Sequence, residues 1–306
     1  MRVAFFGTPD VAVPALRALL EADDVTVAAV VTNPDRPKGR SRRPVAPPVK
    51  EVALQADVPV WQPDRVRAIG DDLRGLAVDC CAVVAYGALL PADVLAVGGA
   101  GFVNLHFSLL PRWRGAAPVQ HALRAGDQVT GVTTFVIDEG MDTGPILRQV
   151  EVTVDPDEDA GALLDRLAVL GSPVLRDSLR DLVAGVEPNP QRESGVTMAP
   201  KIHPDDLVID WSQAGSAVVD LIRSASPHPG AFTTDGGQRL KVYAASATDR
   251  DGDPGRVVDV TKQGPVVACG HGAVLLTSLQ PSGKGRMDGA AFVNGYRPAV
   301  GHRLGT

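Results

Sequence analysis

The chain has 306 residues, of which 44% are hydrophobic, 22% charged and 4% aromatic, and its formal net charge is −6 at pH 7. This composition is typical of a soluble globular protein, and the length suits one large domain or two ordinary ones. The acidic balance argues against a surface covered in basic residues for nucleic acid. It leaves room for a local basic patch, because phosphate contacts depend on where the charge lies.

Cysteines and apolar runs indicate the compartment. Cys80, Cys81 and Cys269 have no metal-ligand spacing and cannot all pair with one another. No stretch approaches the roughly 20 apolar residues of a membrane span, and the apolar part of the N-terminus is too short for a signal peptide. We therefore expect a cytoplasmic protein with reduced thiols and no membrane partner.

The N-terminal segment predicts a β-α-β unit. Apolar runs over Arg2–Phe6 and Val25–Val31 predict strands, and helical spacing over Val11–Leu20 predicts a helix between them. Without hairpin signals, this order is typical of a parallel sheet with crossover helices. The turn Gly7-Thr8-Pro9-Asp10 has one glycine where a dinucleotide fingerprint has three, so no nicotinamide cofactor is expected. Asp10 is interpreted as the helix cap.

The next segment, Thr32–Lys50, contains five prolines and a concentrated basic charge. We call residues 36–43 the basic loop; its cations are Arg36, Lys38, Arg40, Arg42 and Arg43. A loop as long as Thr32–Lys50 without secondary structure is usually functional or disordered. Two interpretations stay open, namely a solvated surface loop and a segment that becomes ordered on a phosphate-rich partner.

The central stretch Gly101–Gln120 carries the strongest chemical signal. Asn104 and His106 are two positions apart in a predicted strand, so their side chains project from the same face. The strand is followed by the turn Ser108-Leu109-Leu110-Pro111, and ligands in open α/β sheets bind just outside such strand ends. A lone histidine here is more often structural than catalytic, and both interpretations stay open.

A second candidate lies in a glycine-rich turn after the predicted strand Val132–Ile137. Asp142 sits between two glycines there, where an aspartate is usually a turn former. If Asp142 instead lay beside His106, the Asn104 amide, the His106 imidazole and the Asp142 carboxylate would together be able to move a proton and stabilise an oxyanion. With no activated serine or cysteine evident, that set favours direct acyl transfer to an amine over a covalent intermediate.

The remaining patterns predict two domains joined by a linker. A long amphipathic helix over Glu158–Leu182, interrupted near Gly171–Pro173, is followed by the Pro-rich polar stretch Glu187–Pro204. Beyond it come a helix over Ser212–Ala225 and several short strands, which favour a small β-barrel. From Asp205 onward there are ten Asp, ten Lys or Arg and no Glu, so this part is neutral.

Several motifs together identify a family resemblance that covers nearly the whole chain. They are FFGTPDVAVPAL, TNPDRPKGR, NLHFSLLPRWRGAAPVQ, MDTGPIL, IRSASPHPGAF and LQPSGKGRM. With these motifs the chain resembles the 10-formyltetrahydrofolate-dependent formyltransferases. The basic loop and the C-terminal motifs are similar to those of the members that act on methionyl-tRNA.

The resemblance implies a Rossmann-like catalytic domain over residues 1–186, a linker over 187–205 and an OB-like, tRNA-binding domain over 206–306. It implies that Asn104, His106 and Asp142 are catalytic. It also implies that the turn Ser108, Leu109, Leu110 and Pro111 lines the folate site, and that the basic loop meets the acceptor end of initiator tRNA. The implied reaction moves the formyl group of 10-formyltetrahydrofolate to the α-amino group of methionyl initiator tRNA, for translation initiation, without a metal.

Other functions stay open at this point. The chain is compatible with formyl transfer to another amine, such as a nucleotide sugar or a purine precursor, and with hydrolysis of formyl-folate. A tRNA- or RNA-binding protein with a degenerate transferase domain is the alternative from a different class. Nothing in the sequence demands more than a monomer.

Overall fold

A computed structural model describes residues 1–37 and 43–305 of the chain. The predicted tRNA-binding residues Lys38, Arg40 and Arg42 lie outside the described residues. The chain divides into two compact units. The first consists of Met1–Pro118, Val129–Thr153 and Leu164–Met198, and the second of Val119–Gln128, Val154–Leu163 and Ala199–Thr306.

The N-terminal two thirds of the chain alternate strand and helix. The strands are β1 (Arg2–Gly7), β2 (Thr26–Val31), β3 (Arg36–Pro37), β4 (Pro44–Val45), β5 (Val60–Trp61), β6 (Cys80–Val84), β7 (Phe102–His106), β8 (Val129–Val136) and β9 (Ile146–Thr153). The helices are α1 (Val13–Leu20), α2 (Pro48–Gln55), α3 (Gly70–Gly75), α4 (Ala92–Leu95), α5 (Pro118–Arg124) and α6 (Ala160–Val183).

The main sheet of the first unit is parallel over most of its width. Within the described residues its strand order is β5-β2-β1-β6-β7-β8-β9, and the pairs from β5 to β7 are all parallel. The predicted parallel sheet with crossover helices is confirmed for these strands, and the sheet is extended at one edge by β8, which runs antiparallel to β7, and by β9, which runs antiparallel to β8. Residues 137–145 connect β8 to β9, and the two neighbouring strands form an antiparallel hairpin.

Continuous apolar runs place the central strands in the core. Phe5, Phe6 and Phe102 are fully or almost fully buried, and the rings of Phe6 and Phe102 meet edge-on at 5.4 Å between centroids. On the opposite face of β7, Leu105 packs against Gly171 of α6, where a Cβ would come within 2.8 Å of a Leu105 methyl. This close approach fixes β7, and with it the side chains that alternate with Leu105.

Two local predictions are wrong. Helix α6 is unbroken across Pro173, because the buried apolar stripe that includes Leu167 and Leu175 outweighs one missing N–H. Asp10 does not cap a helix through its side chain; it is the first residue of a short 3₁₀ helix, Asp10–Ala12, where its charge favours the helix N-terminus.

The C-terminal part of the second unit is an antiparallel sheet with two helices. Its elements are α7 (Gly215–Ser224), β10 (Ala231–Asp235), β11 (Gln238–Thr248), β12 (Val257–Val260), β13 (Pro265–Ala268), β14 (Ala273–Pro281), β15 (Met287–Asp288) and α8 (Gly289–Tyr296). The strand order is β10-β11-β14-β13-β12, with β15 also paired to β14. Trp211, Val218, Leu276 and Phe292 belong to its buried core.

Candidate active site

The strand β7 delivers Asn104 and His106 to one face of the main sheet. Asn104 pairs with Phe135 of β8, and His106 pairs with Thr133 two positions along. Since directly opposed residues in a sheet point to the same side, Asn104, His106 and Thr133 share a face. The His106 ring meets Phe135 edge-on at 6.4 Å between centroids, which orients the imidazole.

The turn after β8 brings Asp142 to His106. Asp142 Oδ2 lies 3.6 Å from His106 Nδ1 and accepts a hydrogen bond of 2.7 Å from the Gly115 N–H. The other ring nitrogen, Nε2, lies 2.9 Å from the carbonyl oxygen of Trp113. Residues 113–115 therefore contact both members of the pair, and the predicted proximity of His106 and Asp142 is present in the structure.

These contacts determine where the imidazole proton lies. A carbonyl oxygen only accepts, so Nε2 must carry the proton that it donates to Trp113. In the neutral ring Nδ1 is then a bare acceptor that faces a carboxylate, and the 3.6 Å separation is too long for a hydrogen bond between them. The pair is thus arranged to receive one proton from a third group.

The environment keeps His106 neutral near pH 7. The residue is 5% exposed, and this burial lowers the pKa of His106 below its ordinary value. The charge of Asp142 and the bond to Trp113 act in the opposite direction but do not reverse the shift. A neutral imidazole with a free Nδ1 can act as a base, whereas a protonated one cannot.

Asn104 supplies an available amide. It is half-buried, and within residues 1–37 and 43–305 its side chain makes no hydrogen bond. An unused amide N–H beside an imidazole is a suitable donor to a developing oxyanion.

The turn Ser108, Leu109, Leu110 and Pro111 is tied to the adjacent strands. The Thr133 hydroxyl donates to the Ser108 carbonyl at 2.7 Å and accepts from the Leu110 N–H at 3.1 Å. Gln149 of β9 donates to the Leu110 carbonyl at 2.8 Å and to the Thr133 hydroxyl at 3.0 Å. Ser108 is fully buried and its hydroxyl donates to the Arg112 carbonyl, so it is not presented as a nucleophile.

The segments at the two ends of the basic loop are held by strand pairing, an ion pair and a hydrogen bond. Its ends pair as the two short strands β3 and β4, with Arg36 opposite Val45. Just before the loop, Asp35 forms an ion pair of 2.9 Å with Lys50 and accepts from Gln62 at 2.7 Å. Arg36 and Arg43 are exposed at the two ends of the loop, on either side of the residues outside the description.

The thiols are unsuited to nucleophilic catalysis. Cys80, Cys81 and Cys269 are buried, and burial raises the pKa of Cys80 to about 12 and that of Cys269 to about 11.

Among the described residues no cluster of histidine, cysteine and carboxylate side chains is suited to a metal ion. No helix of the described ranges is long and apolar enough to cross a membrane.

Several residues that hold the site were missed in the sequence. Thr133 and Gln149 secure the turn after β7, while Gln191 and Thr197, from the predicted linker, contact the segments around Asp142 and Trp113. No local pattern distinguishes these polar residues from surface ones, because their hydrogen-bond partners lie far away in the sequence.

Two family profiles match this chain. The Formyl transferase family profile matches residues 1–179, and the profile of the Formyl transferase C-terminal domain matches residues 201–297. The chain belongs to the formyl transferase family. This formyl transferase is 46% identical over 303 residues to the methionyl-tRNA formyltransferase of Myxococcus xanthus (strain DK1622), in a match that covers 98% of this chain and 96% of the relative.

A second relative has a similar identity to this chain and also matches it over the full length. The methionyl-tRNA formyltransferase of Streptomyces coelicolor (strain ATCC BAA-471 / A3(2) / M145) is 48% identical over 310 residues, with full coverage of both chains. A solved structure of HypX from Aquifex aeolicus in complex with tetrahydrofolic acid is similar in fold, with a TM-score of 0.65 and 16% identity. That match covers 98% of this chain but 48% of HypX, so this formyl transferase spans about half the length of that relative.

Proposed function

We propose that the protein transfers the formyl group of 10-formyltetrahydrofolate to the α-amino group of methionyl initiator tRNA, for translation initiation. The observation that carries the chemistry is the buried, neutral His106 whose free Nδ1 faces the Asp142 carboxylate. The choice of substrate is supported by full-length relatives of 46% and 48% identity, whose names state formylation of methionyl-tRNA.

The mechanism follows from the roles of three side chains. The lone pair of the methionyl α-amine attacks the formyl carbon, and the C=O π pair moves to oxygen, where the Asn104 amide donates to it. The amine proton passes to the His106–Asp142 pair. When the tetrahedral intermediate collapses, the bond from carbon to N10 breaks and that proton goes to N10. Formyl-methionyl-tRNA and tetrahydrofolate are the products, and atoms and charge balance without a metal.

The folate site is proposed at the turn Ser108, Leu109, Leu110 and Pro111. Its backbone is held by Thr133 and Gln149 on the same face of the sheet as His106. A pre-organised turn beside the base suits a co-substrate whose formyl group must reach Asn104 and His106. The tetrahydrofolic acid in the HypX complex supports a folate as the donor.

The tRNA sites are proposed on the basic loop and on the C-terminal sheet. Arg36, Lys38, Arg40, Arg42 and Arg43 concentrate positive charge in an otherwise acidic chain, which suits the phosphates of an acceptor stem. We infer that they contact the end of the tRNA that carries methionine.

The neutral C-terminal domain has a local basic patch that supports the same partner. Arg239 and Lys284 line one cleft of about 390 Å³ together with Tyr296, and the Arg239 guanidinium lies 3.9 Å from the Phe232 ring centre. Arg286, which lies over Tyr243, is two positions from Lys284. Cations interleaved with aromatic rings suit a nucleic-acid backbone and its bases.

The shape of the C-terminal sheet, the domain boundaries, the oligomeric state and the compartment are part of the same proposal. We infer that the C-terminal sheet curves into an OB-like barrel, because the long strand β11 carries two register shifts where it pairs with β14. We take residues 1–186, 187–205 and 206–306 as catalytic domain, linker and tRNA-binding domain. A monomer that works in the cytoplasm, where initiation occurs, fits this assignment.

The alternatives are disfavoured by particular features. Formyl transfer to a small nucleotide amine offers only one or two phosphates to the five cations of the basic loop, and formyl-folate hydrolysis needs no second substrate site at all. An RNA-binding protein without activity would not need the arrangement of Asn104, His106 and Asp142.

Formylation of purified tRNA tests the proposal. Labelled 10-formyltetrahydrofolate is incubated with methionyl initiator tRNA, and methionyl elongator tRNA serves as the matched control. We expect rapid labelling of the initiator alone. Consumption of the folate without tRNA would favour the hydrolase, and tRNA binding without consumption would favour the inactive RNA-binding protein.

A further inference from the structure

Gln191, within the predicted linker, uses every hydrogen-bonding group of its side chain. Its amide nitrogen donates to the carbonyls of Asp142 and Gly144, each at 2.8 Å. Its amide oxygen accepts from Arg114 Nε at 3.0 Å and from a terminal guanidinium nitrogen at 2.6 Å. The orientation of the amide is unambiguous, because carbonyls only accept and a guanidinium only donates.

These four bonds join the two segments that hold the catalytic pair. Arg114 lies between Trp113, whose carbonyl accepts from His106, and Gly115, whose N–H donates to Asp142. The other partners of Gln191 are main-chain atoms of the Asp142 turn itself. One side chain therefore ties the support of His106 to the turn that presents Asp142.

The chain on both sides of Gln191 is anchored to the same segments. Asn189 exchanges two main-chain hydrogen bonds of 2.6 and 2.7 Å with Ile146, which follows the Asp142 turn. Thr197 accepts from the Trp113 N–H through its hydroxyl at 2.8 Å and from the Arg114 N–H through its carbonyl at 2.9 Å. Gln191 is thus held in place and is not a freely moving part of a linker.

The Asp142 turn needs such support. Asp142 has φ +54°, a left-handed conformation that is unfavourable for a residue with a side chain. Its carboxylate receives one main-chain hydrogen bond, from Gly115, while its carbonyl is bonded by Gln191. Without Gln191, the direction in which the carboxylate points would depend on the Gly115 contact.

We propose that Gln191 is a positioning residue for formyl transfer, acting through Asp142 to keep the carboxylate facing His106 Nδ1. The inference rests on the proposed function, since it assigns a role within that reaction. It makes residues 189–198 a part of the catalytic centre and not only a connection between domains.

The test is a set of single-turnover formylation rates at saturating methionyl initiator tRNA and 10-formyltetrahydrofolate. Gln191→Met keeps the length of the side chain and removes all four bonds, and we expect the rate to fall about ten- to hundredfold. In steady-state assays with each substrate varied in turn, we expect the KM of each substrate to stay within about twofold, because neither binding surface is changed. Gln55→Met, at an exposed position in α2, is the matched control and keeps the wild-type rate.

Two further variants separate positioning from general stability. Gln191→Glu keeps the contact with Arg114 but turns a carboxylate oxygen toward two carbonyls, so we expect a reduction in rate at least as large as that of Gln191→Met. In an Asp142→Asn background, Gln191→Met is expected to add little, because its effect passes through Asp142. Circular dichroism of each variant establishes that it is folded.

Each outcome decides the inference. A Gln191→Met or Gln191→Glu rate within twofold of wild type overturns it, and so does full additivity with Asp142→Asn. If Gln191→Met does not fold, the folded Gln191→Glu protein decides alone. Failure of the wild-type protein to formylate any tRNA is a different result, since it overturns the proposed function itself.

Discussion

Asp142 Oδ2 faces His106 Nδ1 across 3.6 Å, and neither atom carries a proton while the imidazole is neutral. Two acceptors that face each other without a proton repel, and a proton placed between them is attracted by both. This relationship makes the pair a receptor for the proton that an attacking amine must release. It also predicts how the reaction responds to pH.

Asp142→Asn is expected to lower kcat/KM about 100-fold and to move its acid limb to lower pH. Burial lowers the pKa of His106, and the Asp142 charge partly offsets this. Removing the charge lowers the pKa of His106 further, so the imidazole stays neutral to a lower pH, although it is a poorer base. The measurement is kcat/KM for methionyl initiator tRNA between pH 5 and 8. An acid limb that moves upward in the variant would contradict the assignment.

Asn104→Ala is expected to lower kcat about 10² to 10³-fold with little change in either KM, because the amide bonds the oxygen most strongly in the transition state. Asn294→Ala, at an exposed position in α8, is the matched control. Steady-state kinetics with each substrate varied in turn distinguish the outcomes. An unchanged kcat would remove Asn104 from the oxyanion role, and a rise in KM alone would make it a binding residue.

Arg40→Ala and Arg42→Ala are expected to weaken tRNA binding. Each is also expected to reduce the slope of log K against log salt by about 1, because one tRNA phosphate is then no longer neutralised by the protein. Arg67→Ala removes an exposed arginine that pairs with Asp93 and serves as the control. Binding of initiator tRNA at several salt concentrations gives the slopes. If both loop variants keep the wild-type slope and kcat/KM, the loop is solvated and binds no phosphate.

Thr133→Val is expected to destabilise the protein by about 1–3 kcal/mol, because it leaves buried main-chain groups of the Ser108–Pro111 turn without their partner. It also raises the KM for 10-formyltetrahydrofolate, while Thr133→Ser restores both. Thr248→Val is the matched control, since the Thr248 hydroxyl is buried without a hydrogen-bond partner and its removal is neutral or stabilising. Thermal unfolding and folate kinetics check both statements, and equal effects of the two valine variants would contradict them.

The sequence predicted those parts of the fold that arise from contiguous apolar runs. Strands β1, β2 and β7 lie in the parallel part of the sheet, where both faces are buried and the apolar runs are unmistakable. The edge strand β9 was missed, because its residues are mostly half-buried or exposed and carry no such run. Helix α6 was predicted to break at Pro173, since the packing that preserves it is tertiary.

The residues of the candidate site also fall into those that the sequence predicted and those that depend on tertiary structure. Asn104 and His106 follow from strand periodicity, whereas the position of Asp142 beside His106 depends on how β8 pairs with β7 and on a left-handed turn. The family resemblance implied that proximity, which spacing alone did not. Gln191 and Thr197 were placed in a linker because their stretch is polar and Pro-rich, and their distant hydrogen-bond partners leave no pattern in the sequence.

The most direct measurement is the single-turnover rate of formyl transfer to methionyl initiator tRNA by wild-type protein and by His106→Gln, with both substrates saturating. Glutamine keeps a donor for the Trp113 carbonyl but offers no base to the amine. With His106 as the base, we expect rapid transfer by the wild type and a rate lower by about 10² to 10⁴ in the folded variant. A His106→Gln rate within a few-fold of wild type would show that His106 is not the base and would contradict the mechanism.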